Sequence, residues 1–325
     1  MAYTTIDKPS DYFETKLYTG NGGTQSITGL DFAPSWVWIK RRSSTQKHGL
    51  YDTVRGATKV LASDATDAEA THDALTAFGT DGFTLGNIGR TNTNNETYVA
   101  WSWKETATAG FDIVAYTGTG SSNAVSHSLS ATPNMMIIKN RDDSDSWYVW
   151  HQGLGAVASN YINLDTTGAK SSVSDGITAI SSSNFTVNTR GDVNENNMKY
   201  IAYCFAEKKG YSKFSSYIGN GNADGTFVYT GFKPAFTIIK PTSIAGDWRM
   251  HDNKRNPHNV LTQTLKPNSS GADDATASGL LDYTSNGFKW RTNSTYSNGS
   301  GVSFIYMCFA SNPFTTSTGV PATAR

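Results

Sequence analysis

Charge is scarce in this chain and carries no overall sign. Lys plus Arg number 27 against 27 Asp plus Glu, and charged residues make up 17% of the 325, below the roughly one quarter usual for soluble domains. No block of like charge stands out. Phosphate recognition needs a concentrated positive face, so nucleic acid is not an expected partner. Apolar runs approaching the ~18–20 residues of a membrane-spanning helix are missing, and so membrane insertion is not expected either. The opening stretch Met1 to Pro9 lacks the apolar region of a secretory signal, so the expectation is synthesis in a cytoplasm.

Metal and nucleophile signatures are equally thin. The two cysteines, Cys204 and Cys308, stand at matching places in a repeat described below, where the first copy has Ser102. Residues equivalent in separate copies are poorly placed to bridge, so both read as reduced thiols filling core gaps. Among six histidines there is no HxH or HxxxH spacing and no histidine–cysteine zinc pattern. Asp52 and Asp252 correspond roughly in the repeat frame but His151 takes the middle place, which does not suit a glycosidase carboxylate pair. Asp142-Asp143-Ser144-Asp145 lacks the spacing of a calcium loop. No GxxxxGK, and no GxGxxG opening a helix, is present. The expectation is no catalytic residue, no metal, no cofactor and no enzyme activity.

What is present is Thr, Ser, Asn and Gly, with aromatics at 12%, and it repeats. Tyr18-Thr19-Gly20-Asn21-Gly22 recurs as Tyr116-Thr117-Gly118-Thr119-Gly120 and as Tyr217-Ile218-Gly219-Asn220-Gly221, at steps of 98 and 101 residues. Downstream of each, a proline leads an apolar strand ending in lysine: Trp36 to Lys40, Met135 to Lys139 and Phe236 to Lys240. His48, Trp147 and Trp248 follow their lysines by eight residues. A Phe-centred strand then appears at Phe83, Phe185 and Phe288, and an aromatic strand closes each copy at Trp103, Phe205 and Phe309. Such spacing exceeds a solenoid unit and fits a compact domain.

The fold expected is all-β, with three tandem homologous sandwiches of jelly-roll or lectin-like type. They span residues 13–106, 111–207 and 211–311, flanked by arms 1–12 and 312–325. A barrel would also satisfy the strand pattern. Trp36 to Lys40 is apolar on both parities, as a strand covered on both faces would be. The closing strand alternates, with Tyr98, Ala100 and Ser102 on one face and Val99, Trp101 and Trp103 on the other. Segments 67–75 and 267–271 read as loops. Short linkers hold the units close, in a row or a threefold cluster.

Candidate binding residues are those recurring in register. Trp147 and Trp248 could serve as a platform for sugar or protein, or as core; His48 shares their position. Lys40, Lys139 and Lys240 could be a thrice-used ligand contact. The commoner role is a strand-end lysine with its stem on an aromatic and its ammonium in water.

Tyr12 to Ile27, Val54 to Lys59, Ala206 to Phe214 and Asn312 to Arg325 resemble a family of uncharacterised structural proteins of tailed bacteriophages of marine bacteria, including phages of cyanobacteria. The resemblance implies a virion protein on the particle exterior, with no catalytic residues to transfer. Its partners would be other virion proteins, further copies of the chain, and a host surface glycan or protein. A tail fibre or tail-associated component for host attachment is the first expectation. A capsid decoration or head-fibre protein is the alternative, and a free carbohydrate-binding protein or glycan-degrading enzyme trails both.

Overall fold

The computed structural model describes residues 3–321, and its architecture follows from the apolar strands buried on both faces. In the first unit the strands Phe13–Thr19, Thr97–Trp103, Trp36–Arg41 and Gly49–Asp52 lie side by side in that order, all antiparallel. The same order recurs as Phe111–Thr117, Lys199–Phe205, Met135–Asn140 and Tyr148–His151, then as Ser212–Ile218, Ser303–Pro313, Phe232–Pro241 and Arg249–Asp252. The second of these sheets is lengthened by Asn160–Asn163 and Ser171–Ser172. Each larger sheet is covered by a three-stranded one, built in the first unit from Gln25–Ile27, Phe83–Leu85 and Leu75–Phe78. The protein is therefore an all-β sandwich assembly.

Alternation along the strands decides which side chain goes where. Val37, Ile39, Tyr98 and Ala100 meet Leu75, Phe83 and Leu85 inside the first sandwich. Their neighbours Trp36, Trp38, Val99, Trp101 and Trp103 face the other way. There they join Met135, Ile137, Tyr203 and Phe205 of the second unit, and Phe236, Ile238, Met307 and Phe309 of the third, in one continuous core. The three larger sheets thus turn their inner faces toward one another in a cluster, not a row. All eight tryptophans are buried, the most exposed being Trp150 at 3%. With ring truncations costing about 3–5 kcal/mol each in packed cores, this shared centre outweighs any single sandwich.

The Tyr-Thr-Gly-Asn-Gly motif closes the far end of each sheet. Tyr18 stacks on Tyr98 at 5.1 Å, Tyr116 on Tyr200 at 5.1 Å and Tyr217 on Phe304 at 4.8 Å. Each first tyrosine donates its hydroxyl proton to a carbonyl of a one-turn helix: Thr91, Val193 or Ser297. A buried asparagine ends each of those turns. The Asn92 amide accepts from Asn21 N at 2.9 Å and donates to the Gly23 and Gly86 carbonyls, and Asn194 and Asn298 repeat the clamp. Gly22, Gly120 and Gly221 hold φ of 72°, 65° and 67° here, the left-handed region where a side chain is strained.

Two expectations differ from what is seen. Segment 67–75 holds the short strand Ala70–Thr71, paired with Lys59–Val60, and the start of Leu75–Phe78. Residues 3–12 do not hang free: Ile6 is part of the central core and Thr4 Oγ1 donates to the Lys209 carbonyl. The C-terminal segment folds back on them, with Ser317 N donating to Asp7 Oδ1 at 2.6 Å.

Candidate functional site: the three seams between units

The in-register residues singled out from the sequence converge on the joints between neighbouring units. Trp147 Nε1 donates to the Ala62 carbonyl of unit one at 2.9 Å, and Trp248 Nε1 to the Asn163 carbonyl of unit two at 2.9 Å. His48 does the same for the third joint. Its Nδ1 accepts from Trp38 Nε1 at 2.8 Å, so the proton sits on Nε2, 3.0 Å from the Lys266 carbonyl of unit three. Unit two hooks onto one, three onto two, and one onto three, which closes the ring. The backbone amide of each hook is held by a side-chain oxygen at a matching place: Asp64, Asp165 or Asn268. None of the three rings offers a face to solvent.

The lysines lie in the same joints, and their ammonium groups are not in water as expected for a strand end. Lys40, Lys139 and Lys240 are fully buried. Lys40 Nζ donates to the Arg41 and Ser270 carbonyls, and Lys139 Nζ to those of Asn140 and Asp143. Lys240 Nζ reaches Thr167, Gly168 and Gly246, the first two in unit two. Burial pushes each lysine down to about 8. The carbonyl cages favour the charged form and keep it protonated at neutral pH.

Sequence reading missed the ionic ladders beneath the hooks. Arg55 Nε lies 2.5 Å from Asp52 Oδ2 and its Nη1 3.2 Å from Glu69, which also takes Arg141 of unit two at 2.9 Å. Tyr203 of unit two donates to Asp52 at 2.8 Å. The joint between units three and one repeats the set: Arg255 on Asp252 at 2.6 Å and on Asp273 at 2.6 Å, Arg42 on Asp273 at 2.7 Å, and Trp101 Nε1 on Asp252 at 3.1 Å. Burial would raise Asp252, yet the Arg255 guanidinium holds it below the usual carboxylate range. The shared spacing Asp52–Arg55 and Asp252–Arg255 was the available signal.

The joint between units two and three drops the whole set at once. His151 replaces the aspartate, Leu154 the arginine three residues on, Thr242 the partner arginine, and Met307 the hydrogen-bond donor. His151 Nδ1 accepts from Gly153 N at 2.9 Å, leaving Nε2–H to donate to the Tyr306 carbonyl at 3.1 Å. Burial pushes His151 down to about 4. A lone acid or arginine here would be a buried unpaired charge, which explains why the exchange is complete.

Cys204 and Cys308 are free, buried thiols whose pKa is raised by burial. Among the described residues no cluster of three His, Cys, Asp or Glu is placed to hold a metal ion, and no helix is long and apolar enough to cross a membrane.

Fold and joints together define an all-β protein in which three sandwiches share one core and close on each other cyclically. The chain belongs to the family described as a domain of unknown function, DUF7483, whose model matches residues 8–313. No curated protein matches it.

Proposed function

We propose that the chain is a non-enzymatic structural protein of a tailed-phage particle, carried on the exterior as a tail-fibre or tail-associated component that contributes to host attachment. The observation that carries this reading is where the repeated polar side chains go. His48, Lys40, Lys240 and the Asp–Arg pairs are spent on joining units, and Lys139 on carbonyls of its own unit. The exposed turns at the motif end hold the uncharged Asn21, Gly22, Thr119, Gly120, Asn220 and Gly221, with Asp224 in the third turn paired to Lys289 and Arg291. Such a body works by shape and many weak contacts, which salt leaves intact.

Labelling the chain on intact particles tests the proposal. Label at the tail supports attachment, label over the head transfers the protein to the capsid-decoration reading, and absence from purified particles overturns both. Truncating residues 1–12 is not a clean test of arm-mediated capsid binding, because it also removes Ile6 from the central core.

A further inference from the structure

The three joints share one plan, so a place where one departs from the plan toward openness is informative. Two residues before each hook stand Gln46, Asp145 and Gly246. Only the third lacks a side chain. A Cβ there would lie 2.9 Å from both Pro241 Cγ and Tyr296 Cδ1, so neither alternative side chain fits without moving the tyrosine. Beside Gly246 opens a recess of about 420 Å³, lined by Thr167 of unit two and by Ala245, Gly246, Asp247 and Tyr296 of unit three. It falls within the ~300–1,000 Å³ typical of small-molecule sites. The recess lined by Lys266 and Asp273, at about 270 Å³, does not.

Tyr296 is itself a departure. It is the second residue of the one-turn helix Thr295–Asn298, the place of Arg90 and Asp192 in the other units. Arg90 turns in to donate to the His48 carbonyl at 3.0 Å, beside Gly49, and Asp192 Oδ2 accepts from Arg190 Nε at 2.9 Å. In unit three the strand position of Gly49 is taken by Arg249, whose own side chain is buried. The helix residue is thereby released, and the Tyr296 ring stands 49% exposed at the recess.

From this geometry we infer a binding site for a neutral pyranose sugar at the joint of units two and three, with Tyr296 as the stacking face and Asp247 as the hydroxyl acceptor. A pyranose presents an apolar C–H face suited to an aromatic ring and equatorial hydroxyls suited to a carboxylate. Asp247 is paired with Lys266 at 3.0 Å and held by the Asn268 amide, so the acceptor at the recess is a carboxylate whose charge is already balanced. That balance favours a neutral sugar over an acidic one. The inference deepens the attachment reading and rests on it for its biological use.

Saturation-transfer NMR on the intact chain, with methyl glucoside, galactoside, mannoside and N-acetylglucosaminide as neutral probes and methyl glucuronide as the acidic one, tests it. Saturation is expected on the C–H protons of one ring face for at least one probe. Tyr296→Ala and Gly246→Gln should weaken that binding at least tenfold, and Tyr296→Phe should retain it. Gly246→Gln approaches the Lys240 cage, so the exposed Tyr296 variants decide the matter if it fails to fold. No saturation with any probe, saturation confined to acidic sugars, or binding indifferent to Tyr296→Ala overturns the site. Because particle labelling does not depend on sugar binding, failure here leaves the attachment reading standing on its own test.

Discussion

Buried charge separates into two kinds in this molecule, and single substitutions should tell them apart. Arg255 closes a satisfied ladder, so Arg255→Leu leaves Asp252 buried and unpaired and should cost about 3–5 kcal/mol in denaturant unfolding. Arg249 is as deeply placed, yet its Nε and Nη1 find no hydrogen-bond partner. Arg249→Leu should therefore be neutral or stabilising by about 1–3 kcal/mol in the same measurement. His151 predicts an acid response. Its folded pKa, about 4, lies below the ordinary 6.5, so between those values the unfolded chain binds a proton that the folded chain refuses. Stability contributed by the neutral ring is intact above pH 6.5 and lost as the pH falls toward 4, by up to about 3 kcal/mol. A pH series of unfolding midpoints for wild type and His151→Gln checks this, the variant's decline being shallower.

Among the elements, the asparagine clamp governs the motif end of each sheet. Asn92→Ala strands the Asn21 amide and two carbonyls, and should cost at least about 2 kcal/mol while raising hydrogen exchange at residues 20–23 far more than in the central strands. The strands themselves were legible from the sequence. Double-sided apolarity at Trp36 to Lys40 and strict alternation at Tyr98 to Trp103 report burial directly, and the structure divides those residues between inner and outer cores accordingly. The clamp was not legible, because an asparagine inside a polar stretch looks the same whether it faces water or three backbone groups. Lys40, Lys139 and Lys240 misled for a related reason. A lysine after an apolar strand normally ends it at the surface; here backbone carbonyls make burial tolerable, another unit's for Lys40 and Lys240 and the following loop's for Lys139. Tyr296 gave no signal at all, since its release follows from Arg249 standing at the strand position of Gly49, far earlier in the chain.

On the scale of the whole molecule, the shared core makes the units interdependent. Residues 111–207 expressed alone would show water the inner face of their sheet, including Met135, Ile137, Trp147 and Phe205. They should fail to give a dispersed NMR spectrum, and the full chain should unfold in one transition instead of three. The ladders add specificity to that cooperation. Two joints carry the Asp–Arg–acid–Arg set and the third a histidine–leucine–methionine set. Docking a unit in the wrong neighbour's place would set an aspartate against Met307, so each has one comfortable seat.

Asp7 and Ser317 touch, although 310 positions separate them. The segments around Asp7 and Ser317 therefore close the third gap in the ring, and the succession of sheets around the centre has no structural first member.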